Sequence, residues 1–252
     1  MSHEASNLTR RDALAVVSGV ALAPHLAGVP QDKDRVPWYA TMRRCGQTNF
    51  NERDPIELNI PWWIDYWTSL EIDALLLNGG GIMAFYPTKI PYQYRSQFLG
   101  AHDLFGDFTK AAKAKGIRVV ARLDCNYVYE DAYKAHPEWI ERHKNGDPVT
   151  GPESPWLYKT CMYSTYFTQQ MPAIIRELNS MYDVDGFFTN GWPSTNRPEP
   201  CYCDACKSLN LADPDSPEAM RQHLARVLEI WKLWDSTAKE KKWDSVYVGN
   251  LG

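Results

Sequence analysis

Basic side chains are scarce and scattered in this sequence. Its 27 Lys and Arg residues are outnumbered by 31 Asp and Glu residues, which gives a formal net charge of −4 at pH 7. Proteins that bind nucleic acid neutralise phosphates with clustered Lys and Arg, and the sequence has no such cluster. We therefore expect no nucleic-acid partner.

A glycine-rich phosphate loop is also missing. The turn after the first apolar run, residues 43–47, reads RRCGQ and contains no GxGxxG pattern. The glycines at positions 79–81 precede a loop rich in Pro and Tyr rather than a helix. The sequence therefore argues against a doubly wound sheet that binds a dinucleotide.

The longest uncharged run lies at the amino terminus. Arg10 and Arg11 precede it, and small residues and Pro24 end it. At about 15 residues it is shorter than the roughly 20 that a membrane-spanning helix needs. Paired arginines before such a run are typical of a twin-arginine export signal. We expect residues 1–30 to be this signal, the mature chain to have no integral membrane span, and the protein to be periplasmic or secreted. A surface amphipathic helix is the alternative.

Aromatic residues, in contrast, are plentiful, with 10 Trp and 14 Tyr. Rings that carry a polar group suit a ligand that is partly apolar and partly hydroxylated, such as a sugar. A large core with polar positions would use the same residues. The composition is therefore compatible with a carbohydrate ligand.

Short apolar runs alternate with helical stripes along the rest of the chain. Strict alternation predicts an α/β fold with a parallel sheet. Polar residues gather after the strands, which favours a (β/α)8 TIM barrel. Because only five strands are found, we expect residues 36–252 to be the N-terminal part of a barrel, with up to three further units. The predicted strands are 36–42, 72–77, 117–123, 186–189 and 246–248, and the predicted helices are 56–70, 104–112, 171–182 and 216–234.

Four cysteines have the spacing of metal ligands. Cys201, Cys203 and Cys206 lie within six residues of a Pro-rich loop, and Cys161 precedes a predicted helix. Four thiolates suit a closed tetrahedral zinc site, and so tight a cluster cannot pair all its sulfurs internally. We expect structural zinc, with disulfides or a redox-active CxxC as the alternatives.

Several segments resemble the hypothetical glycosyl hydrolase family 6 proteins. These are residues 78–87 (NGGGIMAFYP), 121–124 (ARLD), 136–139 (HPEW), 161–166 (CMYSTY), 182–192 (YDVDGFFTNGW) and 201–207 (CYCDACK). The last three segments also resemble, more distantly, the catalytic barrel of glycoside hydrolase family 42 β-galactosidases. In that family a matching set of cysteines binds zinc. The resemblance implies a glycosidase that hydrolyses O-glycosidic bonds in a carbohydrate and carries zinc at Cys161, Cys201, Cys203 and Cys206.

The sequence departs from family 42 at the end of the fourth strand. Those enzymes have an Asn-Glu pair there, whose Glu is the general acid/base, whereas residues 189–192 read TNGW here. Hydrolysis of a glycosidic bond ordinarily uses two carboxyl groups. We therefore expect at least one essential carboxylate outside this chain. The alternative is a non-catalytic barrel that binds carbohydrate, and a thiol-redox protein is a third option that bound metal would exclude.

Asp124 follows the third predicted strand and is the expected catalytic carboxylate. A structural ion pair with Arg122 is the alternative reading of the same residue. Other side chains near the strand ends are expected to bind the sugar: Asn78, Tyr86, Arg122, Asn126, Asn190 and Trp192. The sugar and the oligomeric state stay open, and the latter includes a homo-oligomer.

Overall fold

The computed structural model describes residues 35–190, 200–209 and 216–250. The chain divides into two units, residues 1–36 and residues 37–252, and the elements below belong to the second. The expected export signal and Trp192 lie outside the described residues. Within the described part of the chain, no helix is long and apolar enough to cross a membrane.

Parallel strands form the central sheet, as the alternating pattern predicts. The strands in chain order are β1 (Cys45–Gln47), β2 (Ala74–Gly81), β3 (Arg118–Asp124), β4 (Tyr127–Val128), β5 (Tyr158–Lys159), β6 (Gly186–Thr189) and β7 (Val246–Gly249). The sheet has the spatial order β1-β2-β3-β6-β7, and all its pairs are parallel. β4 and β5 form a separate antiparallel pair in the connection after β3.

The strand order in the sheet follows the chain. A doubly wound sheet reverses its order at a switch point, whereas the strands of a barrel follow one another around the axis. Over the described residues the sheet is open, with β1 and β7 at its edges. The parallel α/β prediction is therefore confirmed, and the order matches that of a barrel without closing one.

Helices connect the strands and bury their apolar stripes on the sheet. They are α1 (Ile60–Ser69), α2 (Leu104–Ala114), α3 (Glu130–Ala135), α4 (Met171–Met181), α5 (Asp204–Ser208) and α6 (Pro217–Lys239). The side chain of Asp103 caps α2, and Gly116, at φ +76°, follows its end. The core joins Leu77 and Leu123 of the sheet to helix residues such as Phe105 and Ile174.

The first strand and the first helix differ from the sequence prediction. Residues 36–42 are not a strand, since Trp38–Ala40 forms a single 3-10 turn and Val36 is exposed. β1 lies further on, where Cys45 pairs with Ala74 of β2. Its residues carry no strong strand signal, so its position depends on pairing with β2 rather than on propensity. The helix predicted over 56–70 begins only at Ile60, because Asn59 accepts a hydrogen bond from the backbone N–H of Trp62.

Asp185 anchors the amino-terminal end of the sheet. It precedes β6, its side chain is 1% exposed, and it accepts hydrogen bonds from Lys113 Nζ at 2.7 Å and from the backbone N–H of Val119 at 2.9 Å. The guanidinium of Arg118 adds a third contact at 3.0 Å. This carboxylate therefore lies at the opposite end of the strands from Asp124.

Candidate active site and metal centre

Arg122 and Asp124 form an ion pair where β3 ends. Residues two apart on a strand point to the same face, which brings the two side chains together. Arg122 Nε and Nη2 donate to the two carboxylate oxygens of Asp124 at 3.1 and 3.2 Å. The Arg122 side chain is buried, whereas that of Asp124 is 24% exposed. A ligand at the strand ends can therefore reach the carboxylate but not the guanidinium.

The environment of Asp124 makes its carboxyl group a weaker acid than usual. Burial raises the pKa of this carboxyl above its usual value, and the charge and hydrogen bonds of Arg122 only partly counter it. The backbone N–H of Asn190 also bonds to the carboxylate and opposes the rise. A carboxyl group with a raised pKa, open to the carboxyl ends of the strands, has the properties of a proton donor.

Arg122 also ties β3 to the loop after β1. Its Nη1 donates to Asn49 Oδ1 at 2.8 Å and to the carbonyl of Thr48 at 3.1 Å. Thr48 and Asn49 were not among the predicted site residues, because the first strand was expected at residues 36–42. With β1 at its true position, both residues would have been recognised as strand-end residues.

The ends of β6 and β7 add two asparagines. Asn250 Nδ2 donates to Asn190 Oδ1 at 3.1 Å, and the backbone N–H of Asn250 donates to the carbonyl of Thr189 at 2.9 Å. The backbone N–H of Asn190 bonds to the carboxylate of Asp124, so Asn190 lies beside it. Asn126, two residues beyond Asp124, is half-buried, and its carbonyl accepts the N–H of Thr160 at 3.0 Å.

Asn78 has a structural position within β2, three residues before the strand ends. Its Oδ1 accepts hydrogen bonds from the hydroxyl of Thr48 at 2.9 Å and from the N–H of Phe50 at 3.1 Å. A bulge follows between Asn78 and Gly80, which changes the register against β3. Asn78 therefore holds the loop after β1 on β2, and a sugar hydroxyl would have to compete for its carbonyl oxygen.

Tyr86 is not available for stacking against a sugar. The ring is fully buried, and its hydroxyl donates to Glu177 Oε2 at 2.7 Å. The hydroxyl of Thr88 and the N–H of Lys89 also donate to Glu177, at 2.6 Å each. Burial strongly raises the pKa of Tyr86, so the hydroxyl stays protonated. Its position in a Pro- and Tyr-rich loop predicted exposure, but the loop folds the ring into the core.

The four predicted metal ligands come together in one buried cluster. Cys161 Sγ lies 3.5 Å from Cys206 Sγ, 3.5 Å from Cys203 Sγ and 4.0 Å from Cys201 Sγ. All four sulfurs lie within 4.8 Å of one another, and all four cysteines are free. Four sulfurs at about 2.3 Å around one ion would be about 3.8 Å apart, so the arrangement fits a tetrahedral metal site.

Backbone groups support this cluster. The N–H groups of Arg142 and Cys203 point at Cys201 Sγ, at 3.5 and 3.4 Å. Hydrogen bonding to Cys161 lowers the pKa of Cys201 to about 6. The hydrogen bond with Cys201 raises the pKa of Cys161. Four thiolates this close together repel one another, so a bound cation favours their joint ionisation.

The fold and these sites define an α/β protein whose parallel sheet presents a polar site at its carboxyl ends, and which also has a cluster of four buried cysteines that could hold a metal ion. The family model described as Hypothetical glycosyl hydrolase 6 matches residues 63–191, and the chain belongs to that family. A search of curated proteins gives no match to this chain.

Solved structures with a similar fold include glycosidases. The α-L-fucosidase isoenzyme 2 from Paenibacillus thiaminolyticus aligns with a TM-score of 0.65 and 16% identity, over 82% of this chain and 32% of the fucosidase. A hypothetical protein from Ruminiclostridium thermocellum ATCC 27405 aligns with a TM-score of 0.55 and 13% identity, over 83% and 97% of the two chains. The α-galactosidase TtGalA from Thermus thermophilus, in complex with stachyose, gives 0.52 and 12%, over 85% and 40%. The chain thus spans less than half the length of either glycosidase, and the likeness is one of fold.

Proposed function

We propose that this protein is a glycosidase that hydrolyses an O-glycosidic bond, with Asp124 at its reaction centre. The observation that carries the proposal is a reachable carboxyl group with a raised pKa at the carboxyl end of a central parallel strand. That edge of the sheet is where enzymes built on parallel barrels have their active sites. Membership of a glycosyl hydrolase family supports the same reaction.

Each residue at this edge has a distinct part in the proposed mechanism. Protonated Asp124 donates a proton to the leaving oxygen, because a raised pKa keeps the proton on this carboxyl over a wider range of pH. Arg122 fixes the direction of the carboxyl through two hydrogen bonds. The side-chain amide of Asn190 exchanges hydrogen bonds with neighbouring sugar hydroxyls: its oxygen accepts and its NH2 group donates. A second carboxylate, from outside the described residues, completes the pair that hydrolysis uses.

Asp124→Asn in the full chain tests the proposal against a panel of aryl glycosides. We expect at least one glycoside to be hydrolysed by the wild type, and the variant to lose at least about 100-fold in kcat, since a positioned acid contributes that much or more. Activity of the wild type should fall as the pH rises through the pKa of Asp124. Asp107→Asn, which changes an exposed acid on α2, is the matched control and should leave kcat unchanged.

A non-catalytic carbohydrate-binding barrel is the second candidate, and Asn190 is the residue that favours it. An amide cannot act as the nucleophile or the acid that hydrolysis needs at a strand end. No turnover on any glycoside, with folding and metal intact, would replace the glycosidase proposal by this one.

We also propose that the four-cysteine cluster holds a structural Zn²⁺. Zinc prefers four thiolates in closed structural sites, and the sulfur separations fit that geometry. A closed site leaves no position for a water molecule, so the ion would stabilise the loops without entering the reaction.

We propose further that additional β/α units complete the sheet into a barrel. α6 exposes apolar side chains about one helical turn apart, at Met220, Leu224, Leu228 and Trp231, and Val248 is exposed on the edge strand β7. A neighbouring helix and strand would cover these groups. The mass of the protein isolated from its native cells tests this, since a barrel-completing segment would bring the total mass clearly above the 28.9 kDa of this chain.

Export by the twin-arginine route is proposed from Arg10, Arg11 and the apolar run that follows them. This route carries folded proteins, which would allow the metal to be inserted in the cytoplasm before export. Fractionation of cells that produce the chain tests it, because a purely cytoplasmic protein would contradict export.

A further inference from the structure

A turn in the loop after β2 holds a tyrosine in an unfavourable backbone conformation. The N–H of Gln93 donates to the carbonyl of Ile90 at 3.4 Å, which closes a turn with Pro91 and Tyr92 at its centre. Tyr92 has φ +60°, at the third position of the turn, where Gly or Asn normally supplies a positive φ. A non-glycine residue in this backbone conformation costs about 1 kcal/mol or more of stability. The Tyr92 ring is therefore kept at this position despite a local loss of stability.

The ring of Tyr92 belongs to one of two aromatic pairs that lie at the two ends of the short helix α3. It is 43% exposed, and its centroid lies 5.0 Å from that of His136 in an edge-to-face contact. Tyr94, two residues on, stacks on Tyr129 with centroids 3.7 Å apart. Tyr129 precedes the short helix α3 and His136 follows it, so the loop runs alongside that helix and contacts both its ends. We call Tyr92, Tyr94, Tyr129 and His136 the aromatic rim.

Neighbouring side chains fix the positions of His136 and of the turn that carries Tyr92. The imidazole of His136 stacks on Trp139 with centroids 3.9 Å apart, and its Nδ1 bonds to Glu138 Oε1 at 2.9 Å. Gln170 Nε2 donates to the carbonyl of Pro91 at 2.7 Å and thereby anchors the turn that carries Tyr92. Rings fixed in this way lose little conformational entropy when a ligand binds.

Glu52 brings a carboxylate to the other end of the rim. Its Oε1 accepts the hydroxyl of Tyr94 at 2.6 Å, and its backbone carbonyl accepts the hydroxyl of Ser96 at 2.8 Å. Burial and the neighbouring carboxylate raise the pKa of Tyr94 to about 12, so this hydroxyl remains a donor. The rim and its two carboxylates thus come from the loops after β1, β2 and β3, all at the carboxyl ends of the strands.

We propose that the aromatic rim, flanked by Glu52 and Glu138, is a binding subsite for an oligosaccharide. Aromatic faces pack against the C–H groups of sugar rings, and the flanking carboxylates accept sugar hydroxyls. This inference rests on the proposed glycosidase function and specifies its substrate. The substrate would be a chain of several sugars rather than a monosaccharide glycoside. The subsite would bind the part of that chain that lies away from the cleaved bond.

Affinity electrophoresis of the full chain, in gels that contain soluble xylan, xyloglucan, arabinogalactan, pectin or dextran, tests the subsite without requiring turnover. We expect at least one polysaccharide to retard the wild type, and Tyr92→Gly and Tyr92→Asn to bind it about tenfold more weakly, the loss of about 1.4 kcal/mol of contact. Both variants relieve the positive φ, so their urea unfolding midpoints should equal or exceed that of the wild type.

Tyr66→Ala is the matched control. Tyr66 is 44% exposed, almost the same as Tyr92, but lies on helix α1 rather than on a strand-end loop. It should leave retardation unchanged. Equal retardation of the wild type and both Tyr92 variants in every gel would overturn the proposal, as would the absence of retardation by any polysaccharide. Retardation that depends on Tyr92, in a chain that neither hydrolyses aryl glycosides nor releases reducing ends from the retarding polysaccharide, would support the subsite while contradicting the glycosidase function.

Discussion

At the scale of single residues, Gly81 controls how closely β2 and β3 approach beside the reaction centre. It has φ +94°, and a Cβ at this position would lie 2.0 Å from the backbone oxygen of Asp124. We expect Gly81→Ala to lower the free energy of unfolding by roughly 3 kcal/mol, since it combines an unfavourable φ with a clash against backbone. Urea unfolding measures this loss, and activity should fall with it because Asp124 must move.

Gly116→Ala separates the cost of the backbone conformation from the cost of the steric clash. Gly116 also has a positive φ, +76°, but a Cβ there would meet no atom within 4 Å. Only the backbone conformation is penalised, so the expected loss is about 1 kcal/mol. Equal losses for the two variants would contradict a steric role for Gly81.

At the scale of secondary structure, Asp185 fastens β6 to β3 and α2. Burial alone would raise the pKa of Asp185, but Lys113, the N–H of Val119 and Arg118 hold it below its usual value. We expect Asp185→Asn to lower the free energy of unfolding by roughly 3 kcal/mol at neutral pH, because it leaves buried donors without a charged acceptor. Asp183, which pairs with Lys113 at 3.1 Å but is 61% exposed, is the control, and Asp183→Asn should cost less than about 1 kcal/mol.

The difference in stability between the wild type and Asp185→Asn should decrease as the pH falls. A carboxyl whose pKa is lower in the folded state stabilises the protein above the unfolded pKa of about 3.9 and loses that contribution as the pH falls through the folded value. The stability gap between the wild type and Asp185→Asn should therefore be full at pH 7 and shrink below about pH 4. A gap that stays constant down to acid unfolding would contradict the assignment.

Some strands and helices could be predicted from the sequence, and others could not. β3 and β6 were found because buried parallel strands are continuous apolar runs, and α2 was found because its apolar residues recur at helical spacing and Gly116 follows its end. β1 reads Cys-Gly-Gln and has no such signal, so only its pairing with β2 defines it.

Part of the site followed from the pattern, and part required tertiary structure. The cysteine spacing predicted a cluster that the structure brings together, and the ion pair of Arg122 with Asp124 had been considered as the alternative to a catalytic role for Asp124. The contribution of Glu52 depended on recognising the loop after β1. The burial of Tyr86 depended on Glu177, 91 residues away in the chain. Contacts between residues this far apart leave no trace in local periodicity.

At the scale of the whole molecule, the four-cysteine cluster joins two connections of the sheet. Cys161 lies in the connection after β3, and Cys203 lies in the connection after β6. We expect the purified chain to carry one zinc ion per molecule by elemental analysis. Removing the ion with a chelator should lower the free energy of unfolding by roughly 3 kcal/mol, because a ligand bound only by the folded state stabilises it by mass action.

Cys203→Ser should lose both the ion and that stability. Cys45→Ser, which changes an exposed cysteine outside the cluster, should keep both. A wild type without bound metal, whose cluster cysteines are found by mass spectrometry in disulfides, would contradict the zinc proposal.

The order of the strands in the sheet has a consequence for the synthesis of the protein. Because β2 pairs with β1, β3 with β2 and β6 with β3, each strand that leaves the ribosome meets a partner that has already emerged. The sheet can therefore grow in the direction of translation, one edge at a time, without waiting for a distant segment. The growing edge is also the aggregation-prone part of every intermediate, so the pace of the ribosome governs how long each unpaired strand stays exposed.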